Sequence, residues 1–185
     1  MSGKTNPPAN TVEIGVSGTL RKKAIEITDK SSIDSLSQRG YGTKENNVFA
    51  LALYEALYLM DKELLEVKDE NGEAVDFQRI LRCYGTVNEN AWVNYLVYRD
   101  LRSRGYVVRE GFGRGTDFRI YERGAYGKDS AHFLILGIQE GKPLPMEDLV
   151  HAMQQCQRQK KELILAVMNR RGEVVHYTVS PLTFK

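Results

Sequence analysis

The chain has 185 residues, 42% of them hydrophobic and 27% charged, with a net charge of +2. This is the balance of a globular protein with room for one core or two small ones. No apolar run approaches the roughly 18 residues that a membrane-spanning helix needs, and residues 1–10 contain no apolar signal segment, so a loose tail and a cytoplasmic location are expected.

The two cysteines, Cys83 and Cys156, form no CxxC and have no histidine at zinc-ligand spacing. They read as free, buried thiols, and no metal or other cofactor is expected. A small net charge does not announce a nucleic-acid binder, but its distribution is uneven. Between residues 99 and 128, eight basic residues (Arg99, Arg102, Arg104, Arg109, Arg114, Arg119, Arg123, Lys128) stand against four acidic ones (Asp100, Glu110, Asp117, Glu122). Either a phosphate footprint or a solvated face can be built from that excess.

Alternation at residues 12–16 and 24–27 predicts two short strands joined near Gly18. After a polar segment, Arg39-Gly40-Tyr41-Gly42-Thr43-Lys44 is too rich in glycine for regular structure and predicts a flexible loop. Asn46 or Asn47 then caps a helix over 48–60, apolar on most faces and therefore central to a core. Asn71-Gly72 marks a turn, and a second unit starts after Tyr84-Gly85. Its first helix is capped by Asn88, carries Val93, Leu96, Val97 and Leu101 on one stripe, and ends at Gly105. Strands are expected at 106–109, 118–121 and 132–138, a helix at 147–159, and strands at 163–168 and 174–179 around the turn Arg170-Arg171-Gly172. The order α-β-β-β-α-β-β predicts an α/β fold with mixed sheets flanked by helices. Three parts follow: a tail over 1–10, a small α/β domain over 11–85, and a second α/β domain over 86–185.

The segment Gly115-Thr116-Asp117-Phe118-Arg119-Ile120-Tyr121-Glu122-Arg123-Gly124, followed by His132 and by Lys160-Lys161-Glu162-Leu163-Ile164-Leu165-Ala166, provides a phenol, an imidazole and an ammonium at the rims of predicted elements. It resembles the archaeal tRNA-splicing endonuclease family, whose catalytic subunits carry G-x-D-F-x-V-Y-x-x-G, then His, then K-K-x-L-x-x-A. The resemblance covers nearly the whole chain and is best from residue 98 to 177. It implies a small N-terminal domain, a C-terminal domain resembling restriction nucleases, and cleavage of precursor tRNA at bulge-helix-bulge intron junctions.

In such a reaction the RNA's own 2′-hydroxyl attacks the scissile phosphate, leaving a 2′,3′-cyclic phosphate and a 5′-hydroxyl. The protein must accept one proton, donate another and stabilise the phosphorane. The resemblance assigns Tyr121 as base, His132 as acid and Lys161 as the electrostatic group. Imidazole suits the acid, since it titrates near neutral pH. A phenol is a harder base, because it ordinarily keeps its proton to about pH 10, and a nearby ammonium would ease its loss. Tyr126 is a rival base off the motif position.

Gly111-Phe112-Gly113-Arg114-Gly115 is not read as a phosphate loop, because a strand follows it where a helix N-terminus is required. Its glycines predict a tight connection between strands, with Arg114 free to meet a phosphate. A rival magnesium nuclease would use Asp117, Glu140 and Lys142, although Gly141 and Pro143 put the second half in a turn. Otherwise Asp117 serves as a structural acceptor behind the site.

Two departures from the family pattern carry implications. The turn between the last two strands is acidic in many relatives and docks into a neighbour's basic pocket, whereas here it holds Arg170 and Arg171. This chain is therefore expected to receive an acidic turn from a homologous, non-catalytic subunit in an α₂β₂ tetramer. An arginine that grips a bulged base two helical turns before the catalytic lysine is replaced by Gln154, for which Arg158 is a substitute. Arg39, Tyr41 and Lys44 are further candidates for RNA contact on the flexible loop. The competing class is a non-catalytic RNA-binding or structural subunit of the same assembly.

Overall fold

The computed structural model describes residues 15–112, 115–122 and 124–180. A first sheet takes β1 (Val16–Leu20), β2 (Ala24–Ile27), β3 (Thr43–Glu45), β4 (Val48–Ala52) and β5 (Leu65–Lys68) in the order β3-β4-β2-β1-β5. Only the β1–β5 pair is parallel. The second sheet runs β10-β9-β8-β7-β6 and takes β6 (Val107–Glu110), β7 (Phe118–Tyr121), β8 (Phe133–Gln139), β9 (Glu162–Met168) and β10 (Val174–Val179). Here β8 and β9 are parallel and the other pairs antiparallel. The helices are α1 (Lys30–Gln38), α2 (Leu53–Asp61), α3 (Phe77–Val87), α4 (Ala91–Ser103) and α5 (Met146–Arg158). Helix α5 is the crossover that lets β8 and β9 lie parallel, since such a pair cannot be joined by a tight hairpin. No helix among the described residues is long and apolar enough to cross a membrane.

The mixed α/β class and the second half of the element order follow the sequence expectation, with boundaries moved by a residue or so. The first half differs. Gly18 lies inside β1, where an added Cβ would fall 2.5 Å from Ile25 Cγ2; the glycine permits close approach of β2, and the turn comes at Arg21, whose N–H donates to Ala24 O. The expected helix over 48–60 is strand β4 followed by α2. Phe49 and Leu51 are buried in alternation, whereas Leu53 to Leu59 are buried at every position. Such a run has no period that separates strand from helix.

Asn46 and Asn47 cap nothing. Both have left-handed backbones (φ 47° and 65°), as a two-residue hairpin between β3 and β4 requires. Glu55 instead closes the start of α2, its Oε2 accepting from Ala52 N at 2.9 Å. Asn88 is similarly displaced. It ends α3, its N–H donating to Tyr84 O, while its side chain accepts from Asn90 N at 2.8 Å, one step before α4 begins.

One apolar core joins both sheets. At its centre Tyr54 from α2, Tyr98 from α4 and Phe118 from β7 meet, with ring centroids 4.9 Å apart for Tyr54–Tyr98 and 5.1 Å for Tyr54–Phe118, the latter edge-to-face. The predicted stripe Val93, Leu96, Val97 and Leu101 is buried in this core. A smaller cluster of Leu134, Ala152, Cys156 and Leu163 seats α5 on the second sheet. Both thiols are free, Cys156 buried and Cys83 half-buried.

Candidate active site

Two strand registers bring the motif residues together. In the antiparallel pair Ile120 faces Phe133, so one step further Tyr121 faces His132. In the parallel pair Phe133 faces Glu162, so one step earlier His132 neighbours Lys161. Tyr121, His132 and Lys161 thus form one row across the same end of β7, β8 and β9. At about 4.8 Å per strand, the row spans roughly 10 Å between its outer Cα atoms. His132 is exposed, and Tyr121 and Lys161 are half-buried.

The backbone around each member is held. The His132 carbonyl accepts from Glu162 N at 3.0 Å. Lys161 follows a left-handed Lys160 (φ 55°), and its N–H reaches back to Cys156 O at 2.9 Å, so the end of α5 turns directly into β9. Its ammonium donates to the carbonyl of Ala131, which ties the cation to the residue before His132. The ring of Tyr121 meets Tyr126 edge-to-face at 5.2 Å, so the rival tyrosine is its immediate neighbour.

The other candidate residues divide. Tyr41 is only 7% exposed: its ring lies under the Arg102 guanidinium at 3.9 Å and is stacked on Tyr58 at 6.5 Å. The expected flexible loop is therefore a docked connection, and Tyr41 has no face left for a base. Arg39 and Lys44 are exposed, with Lys44 on β3, and Arg39 gives its carbonyl to Arg102. Arg158 is exposed in the last turn of α5, and Gln154 is exposed one turn earlier. Arg114 lies outside the described residues, as do residues 1–10 and Arg123. Gly111 does make a tight strand connection, since a Cβ there would fall 2.2 Å from Thr116 O.

Much of the cationic excess between residues 99 and 128 is structural. Arg102 donates to the carbonyls of Tyr106 and Arg39, Arg104 pairs with Asp100 at 2.7 Å, and Arg109 is buried against Glu55 at 3.3 Å and Gly40 O at 3.1 Å. Asp117 behaves as the expected acceptor: Oδ1 takes Asn94 Nδ2 and Oδ2 takes Gly137 N, both at 2.8 Å. Burial pushes its carboxyl above the usual carboxylate range, against the two hydrogen bonds. A magnesium site would have to share both Asp117 oxygens with those contacts, and Lys142 donates instead to Asn90 at 2.9 Å.

The sequence reading missed Phe112 and Arg119. The Arg119 guanidinium stacks on the Phe112 ring at 4.3 Å, and Lys161 Nζ lies 5.9 Å from the same ring. Beyond its place in the basic excess, the sequence signal for Arg119 was spacing: it precedes Tyr121 by two positions and therefore shares its face of β7.

These features describe a two-domain α/β protein with a polar row at one end of its second mixed sheet. Comparison with known families gives the same division. Residues 16–81 match the tRNA intron endonuclease N-terminal domain, and residues 91–177 match the tRNA intron endonuclease catalytic C-terminal domain. The chain is 31% identical over 163 residues to a tRNA-splicing endonuclease of Methanococcus maripaludis, covering 88% of this chain and 92% of that protein. For a tRNA-splicing endonuclease of Pyrococcus abyssi the identity is 31% over 158 residues, covering 85% and 91%. A tRNA-splicing endonuclease of Saccharolobus islandicus is 30% identical over 127 residues, 69% of each chain. The chain belongs to the tRNA intron endonuclease family.

Proposed function

We propose that this chain is a catalytic subunit that cuts precursor tRNA at bulge-helix-bulge junctions by metal-independent transesterification. In this reading Tyr121 accepts the 2′-hydroxyl proton, His132 protonates the leaving 5′-oxygen, and Lys161 stabilises the charge that builds on the phosphorane. The observation that carries it is the shared row of the three residues, with a tethered ammonium beside the imidazole segment. A non-catalytic subunit would not need all three groups on one edge. Residues 11–85 are assigned to the N-terminal domain and 86–185 to the catalytic one, a division that falls in the last turn of α3. A cytoplasmic location belongs to the same reading.

The chemistry makes a sharp expectation. Cleavage proceeds in EDTA and leaves cyclic phosphate ends, and a 2′-deoxy substitution at the scissile nucleotide abolishes cutting while binding survives. Cutting of the deoxy substrate, or activity that appears only on adding Mg²⁺, would transfer the chemistry to Asp117, Glu140 and Lys142.

The assembly proposed is an α₂β₂ heterotetramer in which this chain receives an acidic turn from a homologous subunit. Its own turn is closed by a side chain: Asn169 Oδ1 accepts from Arg171 N at 2.9 Å and Glu173 N at 3.0 Å, and Arg170 and Arg171 stand exposed at the tip. Two arginines entering a basic pocket on an identical chain would repel. The outer strand β10, with Val175 and Tyr177 exposed, offers an edge for pairing with a partner's tail. Light scattering on the isolated chain is expected to find no active tetramer, and a partner with Asp or Glu in that turn is expected to restore assembly and cleavage together. An active homotetramer would overturn the two-subunit arrangement.

A further inference from the structure

We propose that Phe112 is the platform on which a nucleobase adjoining the scissile phosphate stacks. Its backbone carbonyl accepts from Gln155 Nε2, which ties the ring's position to the helix that leads into Lys161. Arg119 covers one side of the ring at 4.3 Å, and Lys161 Nζ stands 5.9 Å from the ring centroid. Phe112 nevertheless remains 37% exposed, unlike Phe118, which lies on the other face of the sheet from Arg119 and is 1% exposed. An aromatic ring that meets cations and still keeps more than a third of its residue's surface in solvent is suited to stacking any base, because every base presents a π-face.

The location adds to this. Arg119 and Tyr121 lie on the same face of β7, about 7 Å apart along the strand. A base resting on Phe112 would therefore be within about one nucleotide of a phosphate held at the row. The contact selects for an unstacked base, such as a bulge supplies, and not for its identity. This proposal rests on the catalytic reading of Tyr121, His132 and Lys161, and adds to it the residue that grips the flanking nucleotide.

The test uses the assembled, cleavage-competent enzyme and two precursor RNAs, one intact and one abasic at the nucleotides flanking the scissile phosphate. Phe112→Ala is expected to weaken binding of the intact RNA by about 5- to 160-fold, the range of one base–aromatic stack. Phe112→Trp should retain binding. On the abasic RNA, wild type and Phe112→Ala should bind alike. If Phe112→Ala loses the same factor on both RNAs, or if Phe112→Leu binds the intact RNA as well as wild type, the ring is only a structural cover and the proposal fails. His132→Ala separates the two readings: it should lose the chemical step on the intact RNA while keeping its binding preference for intact over abasic RNA. A fully active His132→Ala would sink the catalytic assignment without touching the stacking result.

Discussion

Replacing His132 by alanine should slow single-turnover cleavage by about 10²- to 10⁴-fold, the usual range for loss of a general acid or base. The size of the effect follows from position. The imidazole stands exposed just before β8, and the main chain beneath it is held through the Glu162 N–H. Truncation therefore costs little folding energy, and the loss falls on the chemical step, with binding nearly unchanged. Tyr121→Phe removes one oxygen from a ring that still packs on Tyr126, so it tests the base in the same way. Lys161→Ala removes an ammonium tied to Ala131 O, and should likewise lower the rate. Near-normal single-turnover rates for all three variants would end the assignment. If Tyr126→Phe proves the more damaging tyrosine change, the base is the neighbour and the motif register is off by one loop.

The largest effect on stability is expected from Arg109→Met. Arg109 comes from β6 of the second sheet, and its partner Glu55 from α2 beneath the first; their side chains are 10% and 3% exposed. Glu55 also accepts from Gly42 N and Ala52 N, and Arg109 donates to Gly40 O, so the pair pins the 40–42 connection between the two sheets. Burial pushes the Glu55 carboxyl above its usual range, and Arg109 is the main group pulling it back. Removing the arginine leaves a buried carboxylate without its cation, a change that costs about 3–5 kcal/mol. That is a large part of the roughly 5–15 kcal/mol that holds a domain together.

The pH dependence has a definite sign. Without Arg109, the folded-state pKa of Glu55 rises further above its unfolded value, so the folded protein binds more protons within that window. Stability of the variant should then fall as pH rises through the window, and its deficit against wild type should shrink on acidification toward the ordinary carboxylate range. Denaturant unfolding at several pH values measures this. A deficit below about 1 kcal/mol at neutral pH would show that the pair does not clamp the two sheets. The double variant Glu55→Gln, Arg109→Met should recover part of the loss, because no buried charge is then left alone.

Local sequence was sufficient where elements are short, alternating and punctuated. β7 and β8 are flanked by glycine-bearing segments, β9 and β10 share the Gly172 turn, and all four were legible to within a residue. So was the amphipathic stripe of α4 up to Gly105, whose left-handed φ of 90° ends the helix. The family motif gave the identities and order of Tyr121, His132 and Lys161, since these are carried by neighbouring words of sequence. By itself, then, the sequence determined the family, the second half of the fold and the residues to suspect.

Tertiary structure decided what depends on partners far along the chain. Residues 48–60 are apolar but for Glu55, and only pairing of β4 with β2 and β3 makes the first five a strand. Helix α1 buries just Ser32 and Leu36, and α3 runs through Gly85, so neither stood out from local pattern. Arg109 and Tyr41 looked like surface chemistry until Glu55 and Arg102 claimed them, because a charge or a phenol carries no local mark of the group that will bury it. The same holds for the row itself. Tyr121 and His132 meet through an antiparallel register, and His132 and Lys161 through a parallel one that exists only because α5 carries the chain across the sheet between them. Register over such separations is set by burying one face of every strand at once, a condition that the packed sheet satisfies and no local segment can express.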